Sequence, residues 1–386
     1  MAPDFLTEAR AIAPKLARLR HDIHEHPELG RREERTASLV EGFLSTHGVA
    51  TARPCDDTAV LGDLAGAHPG PTVAIRADMD ALPIVEQTGC AFRSHEPGRM
   101  HACGHDVHTA ALLGTAALLA AHRNDLSGAV RFLFQPDEEG DGGAQGLADA
   151  GVLDGMTAVF GAHVDPTLPF GTVGVRYGKF YAASDMFDVT VRGRSAHAAQ
   201  PEKGVDALAA AAEMALAVRR LPERLAPEPA VVSVGTLNGG TARNVIADAA
   251  TFTGIMRTLG RDSRERLRTD LQRALDAIAE RTGTTYSLEL RPSYGGVVNT
   301  EPETHLAERA AVALLGRDNV RAIEQPLMTT EDFGALIDAC GAGSFYHIGV
   351  GGGESLHSAR FLPSDEAVPL GAALHAAVAW RALGLG

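Results

Sequence analysis

Two soft donors stand two positions apart in Met100-His101-Ala102-Cys103-Gly104-His105-Asp106-Val107-His108. Cys103 and His105 lie just ahead of a helical stretch and can aim at one cation, with Gly104 letting the backbone turn tightly between them. Taken alone, the pair is equally well explained as a buried thiol beside an ordinary histidine. Phe134-Gln135-Pro136-Asp137-Glu138-Glu139-Gly140 ends an apolar strand in adjacent glutamates. Neighbours at a strand end point in different directions, so Glu139 can bind a metal while Glu138 faces a reacting water. The plain alternative is a solvated acidic turn. Gly161-Ala162-His163-Val164 closes another strand with a histidine in apolar company, where a core histidine is the default, and Gly351-Gly352-Gly353-Glu354-Ser355-Leu356-His357-Ser358 puts one more on a glycine-rich loop.

Jointly these residues say more than each does singly. Cys103, His105, Glu139, His163 and His357 all fall at loops or strand ends, where a doubly wound sheet gathers its ligands. That set exceeds the three or four donors that one zinc takes from protein, so two divalent ions fit better. A structural zinc site keeps its ligands close in sequence, and these are widely spread. The cysteine argues against magnesium and calcium and favours zinc, manganese, cobalt or nickel. In Arg76-Ala77-Asp78-Met79-Asp80-Ala81-Leu82-Pro83, alternate aspartates lie on one side of an extended chain, so both could face the metals. Asp80 is expected to orient a histidine of the site; a plain turn before Pro83 is the alternative.

The elements that must position these groups follow from periodicity. Phe5, Ala9, Ile12, Leu16, Leu19 and Ile23 recur at helical spacing, Thr72 to Arg76 is strand-like, Asp106 to His122 is helical, and Ala129 to Phe134 is a strand ended by Gln135-Pro136. Strands alternating with helices predict an α/β sheet with its chemistry on strand-end loops. Beyond Lys179 the pattern changes to a strand at Asp185 to Arg192, a helix at Val205 to Leu221, strands at Val231 to Leu237 and Ala249 to Arg257, a helix at Arg261 to Arg281 and a strand at Tyr286 to Arg291. This β-α-β-β-α-β order is that of a small ferredoxin-like α+β unit. It is inserted between 1–181 and 294–386, which form one discontinuous α/β domain around the 182–293 insertion.

Composition narrows the function classes. A chain of 386 residues, 45% apolar and 22% charged, is long enough for two domains. A formal charge of -14 works against phosphate backbones and anionic lipid surfaces, so neither nucleic acid nor membrane is an expected partner. The N-terminal segment lacks a basic stretch followed by an apolar core, and no run of about 18 apolar residues occurs, so neither a signal peptide nor a membrane span is expected. Four cysteines without paired spacing suit a reducing, cytoplasmic setting.

As a set the motifs resemble the aminoacylase and carboxypeptidase G superfamily of di-metal hydrolases, in the branch of hippurate hydrolase and the plant indole-acetyl-amino-acid hydrolases. The likeness runs through Leu19 to Glu28, Arg76 to Pro83, Cys103 to His108, Gln135 to Glu139, Arg194-Ser195-Ala196-His197-Ala198-Ala199-Gln200-Pro201, Asn244-Val245-Ile246 and Leu356 to Phe361. It implies a di-metal exopeptidase-like catalytic domain with a mixed sheet flanked by helices, and an inserted lid and dimerisation domain supporting a homodimer or homotetramer. It implies two ions per subunit, manganese or zinc, held by Cys103, His105, Glu139, His163 and His357. Glu138 is then the general base, Asp80 a supporting catalytic residue, His197 an oxyanion donor, and Asn244 and Arg257 the groups that hold a substrate carboxylate. The implied reaction is hydrolysis of the amide bond of an N-acyl amino acid to a carboxylic acid and a free amino acid. Gln200-Pro201-Glu202-Lys203 lacks a histidine the family often has, and Met328-Thr329-Thr330-Glu331-Asp332-Phe333 has threonines where glycine and serine are common, departures that bear on acyl and side-chain preference. A dipeptidase or aminopeptidase on the same metal core is the nearest rival, but no acidic group stands out to anchor a free α-amine. A non-catalytic binding protein is disfavoured by the spare carboxylate beside a ligand.

Overall fold

A computed structural model describes residues 3–55 and 58–385. The chain divides into two compact units, Met1–Phe180 with Val297–Gln325 and Asp332–Gly386, and Tyr181–Gly296 with Pro326–Glu331. The segment Pro326–Glu331, expected with the first unit, packs with the second for visible reasons. Leu327 bridges to Tyr181, Thr329 O accepts from Ala182 N, and Met328 O accepts from Arg257.

The first unit is built on a mixed sheet of eight strands flanked by helices. Its centre runs Ser127–Gln135, His68–Asp78, Ala158–Asp165, Gly343–Gly349, all mutually parallel. Antiparallel and shorter strands complete both edges. The central strands are nearly continuous apolar runs, as strands covered on both faces require. Phe132, Phe134, Val159, Phe160, Phe345 and Ile75 are fully buried. The helix His105–Ala121 is interior along most of its length, and its alanines and leucines let it pack between Phe5–Glu25 and Ala367–Ala382. Gly114 marks the closest approach: a Cβ there would meet Ala372 Cβ and Leu16 Cδ1, each at 2.8 Å.

The second unit is a four-stranded antiparallel sheet in the order Ala230–Gly239, Ala249–Thr258, Ala183–Arg192, Thr285–Pro292. Phe187, Val189 and Val191 alternate inward from its central strand onto the helices Ala207–Arg219 and Arg261–Thr282. The strand order and the two crossover helices are those of the ferredoxin-like pattern. One further element has no counterpart in the periodicity. Ala196–His197 pairs antiparallel with Val245–Ile246 in a separate two-stranded ribbon, too short to leave a periodic signal.

Candidate metal centre

The four central parallel strands of the first unit deliver the site. Their C-terminal ends lead to Asp80, to Glu138 and Glu139, to His163, and to the loop carrying His357, which matches where an open α/β sheet places its ligands. Cys103 comes from the turn before the helix His105–Ala121, and His105 is that helix's first residue. Gly104 between them has φ +89°, and a Cβ on it would lie 2.6 Å from Val164 Cγ2. Both the left-handed backbone and the close approach demand glycine. Of the non-glycine residues, only Arg31, Asp137 and His357 adopt positive φ among those described, and two of the three border the site. His357, at φ +65°, is held there by its N–H donating to Ala102 O at 2.9 Å.

The five sequence-predicted ligands come together. Cys103 Sγ lies 3.3 Å from Nε2 of His163 and 3.3 Å from Nε2 of His357. Glu139 Oε1 is 3.0 Å from the same His357 nitrogen, without the alignment of a hydrogen bond. The donor atoms of Cys103, His105 and His163 lie within 4.8 Å of one another, as do those of Cys103, Glu139 and His357. One thiol is therefore common to two triads.

The outward sides of the rings are already committed. His163 Nδ1 donates to Val164 O at 2.7 Å, which leaves Nε2 as the lone-pair atom facing the thiol. His105 Nδ1 donates to Asp80, 2.9 Å from its carbonyl and 3.1 Å from Oδ1, and its Nε2 is buried with no hydrogen-bond partner. Asp80 Oδ2 also accepts from Glu139 N at 2.9 Å, so one carboxylate orients two of the five. A thiol carries a single proton and cannot satisfy both neighbouring imidazoles. The surplus of inward-facing lone pairs is what a cation site looks like from the protein side.

Electrostatics agree. Burial, then the charges of Glu139 and Glu138, pushes the Cys103 thiol well above its ordinary range. At His105 burial opposes the charged ring, but Asp78 and Asp80 outweigh it and hold a proton to about 10. Burial drives the His163 ring well below its usual value, keeping it neutral. Glu139 is raised by burial but brought down to about 2 by His357 and His105. Cys103 and His105 retain protons that a bound cation would displace, and thiol, imidazole and carboxylate are the donors that zinc, manganese, cobalt or nickel accept.

Glu138 is buried beside Glu139. The other three predicted residues belong to the second unit. His197 is exposed on the short ribbon, where Nδ1 accepts from Ala199 N at 3.1 Å, so its proton sits on the outward Nε2. Asn244 is exposed just before the facing strand of that ribbon, its carbonyl accepting from Ala198 N at 3.0 Å. Arg257 is half-buried, donates Nη1 to Met328 O at 2.7 Å, and leaves Nε buried without a partner.

Apart from Asp78, one of the two alternate aspartates, sequence reasoning passes over the polar set around the ligands. Arg76, Asp78, His108, Gln135 and Asp332 form one network, and Arg20, His24, Glu86 and Asp106 another. Their only sequence signal is charge inside otherwise apolar elements, at Arg76 in a strand and Asp106 in a helix.

Comparison with known proteins accords with this geometry. Residues 74–381 match the model of peptidase family M20/M25/M40. N-acetylcysteine deacetylase of Bacillus subtilis (strain 168) is 38% identical over 93% of this chain and 94% of its own length. N-acyl-L-amino acid amidohydrolase of Geobacillus stearothermophilus is 40% identical over 72% of this chain and 76% of its own. The crystal structure of the Bacillus subtilis YXEP protein, a dinuclear metal binding peptidase from the M20 family, superposes with a TM-score of 0.86 at 33% identity, covering 98% of this chain and all of that one.

Proposed function

The chain belongs to peptidase family M20/M25/M40, and from that membership we propose that it is a metal-dependent amidohydrolase that cleaves the amide bond of N-acyl amino acids. The observation that carries the reading is the Cys103 thiol shared between two ligand triads, with Glu138 buried beside them. The likeness to a deacetylase, to an amidohydrolase and to a dinuclear peptidase supports it.

Cys103, His105, Glu139, His163 and His357 would hold two divalent cations, manganese or zinc. When bound, such a pair polarises the substrate carbonyl and lowers the pKa of an adjacent water toward neutrality. Glu138 accepts the proton of the attacking water and returns it to the departing nitrogen, without which an amine is a poor leaving group. Asp80 fixes the His105 ring through Nδ1 and the Glu139 backbone through its N–H. His197 offers its Nε2 proton to the developing oxyanion, a contribution of about 3 kcal/mol for one such donor. Asn244 and Arg257 recognise the free carboxylate, Arg257 with the Nε that nothing else uses. The second unit acts as lid and as the surface for self-association. Four cysteines without paired spacing suit a reducing cytoplasm, and no described helix is long and apolar enough to cross a membrane.

The test is metal analysis of the purified chain followed by a hydrolysis screen over N-acetyl, N-benzoyl and long-chain N-acyl amino acids with dipeptides alongside. Release of free amino acid from acylated substrates, abolished by a chelator and restored by manganese or zinc, is expected. Turnover of dipeptides alone would transfer the assignment to a dipeptidase.

A further inference from the structure

A third cluster with ligand geometry lies directly under the first two. Oxygen and nitrogen atoms of Asp78, His105 and His108 fall within 4.8 Å of one another, and Asp78 Oδ2 is only 3.8 Å from Nε2 of His105. A buried carboxylate that close to a dication is a strong competing ligand, because charge attraction in a dry interior is poorly screened. Drawn onto the cation, it would fill the position that a catalytic metal keeps open for water.

Both side chains that donate to the Asp78 carboxylate oppose that movement. Oδ1 accepts from His108 Nδ1 at 2.7 Å, and the ring cannot turn away because its Nε2 accepts from Val164 N at 2.9 Å. Oδ2 accepts from Arg76 Nη1 at 2.7 Å. The guanidinium is itself fixed, Nε to Gln135 Oε1 at 2.8 Å and Nη2 to Asp332 Oδ1 at 3.1 Å. Asp332 is pinned in turn by Gln135 Nε2, at 2.9 and 2.8 Å, and by Ala144 N at 2.9 Å. All of these side chains are buried. Since both nitrogens of His108 are spent, the third cluster is not a cation site of its own.

We propose that Arg76 is a positioning residue that withholds Asp78 from the metal centre, with His108 holding the second oxygen and Asp332 holding Arg76. The inference rests on the metal-centre reading given above. It predicts that the guanidinium, not distance, keeps the coordination shell open.

Cobalt(II) loading of the purified full-length chain tests it, because visible absorption per cobalt drops as a coordination shell fills. Asp78→Asn is near-isosteric and removes the charge; its one amide oxygen still accepts from one of the two donors, His108 Nδ1 or Arg76 Nη1. Since Asp78 has no part in holding the ion under the proposal, this variant should take up as much cobalt as the parent with the parent spectrum. Arg76→Gln should lose visible intensity and kcat with KM little changed. The double variant Arg76→Gln with Asp78→Asn should recover the parent spectrum. Loss of a cobalt equivalent in Asp78→Asn would show that Asp78 is a ligand and overturn the proposal, and this arm reads out even where Arg76→Gln does not fold. A parent that binds no cobalt overturns the metal-centre reading and this one with it. A cobalt-loaded parent whose Arg76→Gln spectrum is unchanged overturns this one alone.

Discussion

Glu138 and Glu139 are chemically identical neighbours, and their surroundings divide the work. Glu139 has its backbone N–H tied to Asp80 and its carboxylate against His357, which commits it to the ligand triad, whereas Glu138 is buried alongside and belongs to neither triad. Glu138→Gln is therefore expected to keep both ions, by elemental analysis, while hydrolysis falls by roughly 10²- to 10⁴-fold, the usual weight of a general base; full activity in that variant would remove Glu138 from the mechanism. Glu33 sets a different expectation. It is fully buried, accepting from Thr58 Oγ1 and from Asp137 N, and burial lifts its carboxyl from 4.5 to about 7. A folded-state pKa above the unfolded one means the native chain keeps a proton that the unfolded chain releases, so the stability Glu33 contributes falls as pH climbs from 4.5 through 7. Glu33→Gln keeps both hydrogen-bonding positions without titrating. It should match the parent at pH values below the unfolded pKa and exceed it by on the order of 2 kcal/mol on the alkaline side, as read from denaturant melts.

Among the elements, the turn into the helix His105–Ala121 is the least forgiving. Gly104→Ala adds a Cβ to a left-handed residue 2.6 Å from Val164 Cγ2. A cost of about 1–3 kcal/mol in stability is expected from the strained backbone, together with weaker metal retention on dialysis, because Cys103 and His105 flank the displaced atom. Unchanged metal affinity would mean the turn tolerates a side chain. This turn is legible in the sequence, since a glycine between two donors ahead of an alanine-rich run marks a tight bend that points both side chains the same way. Regular elements are legible wherever burial imposes a period: the predicted helix at Asp106 to His122 is observed at His105–Ala121, and the strand at Ala129 to Phe134 extends to Ser127–Gln135. The ribbon of Ala196–His197 with Val245–Ile246 is not, because its pairing joins residues far apart through a turn without periodicity. Nor is the network of Arg76, Asp78 and Asp332: the alternate aspartates suggest side chains facing the metals, but Asp332, which fixes Arg76, joins them only in the folded sheet. Pro326–Glu331 falls on the other side of the division from its expected place because its attachment is by backbone hydrogen bonds, which composition does not record.

At the level of the whole molecule, pH should act on the buried His24 as well. Burial opposes its charge, but Asp106 and Glu86 outweigh that and raise the ring to about 9. The sign is that of a raised histidine: its stabilisation is complete below the unfolded value of 6.5 and is lost as pH rises through about 9, so melting temperature should decline across that interval. His24→Gln should flatten the decline. A flat parent profile would mean the ring is neutral throughout. Chelation should behave otherwise. The outward nitrogens of His105 and His163 are anchored to Asp80 and Val164 with or without an ion, so the stripped chain is expected to retain its circular dichroism and reload reversibly. It should melt earlier by the linkage term, about 3 kcal/mol where metal stands at a hundredfold excess over its dissociation constant. Collapse of secondary structure on chelation would show that the ions build the fold.

Cys103 and His357 touch the same point although 254 positions separate them, with the second unit threaded between. During synthesis, then, the last proposed donor is added only after every residue of the inserted second unit has been made. A chain cut short before His357 is unable to bring the five proposed donors together, however well its earlier elements fold.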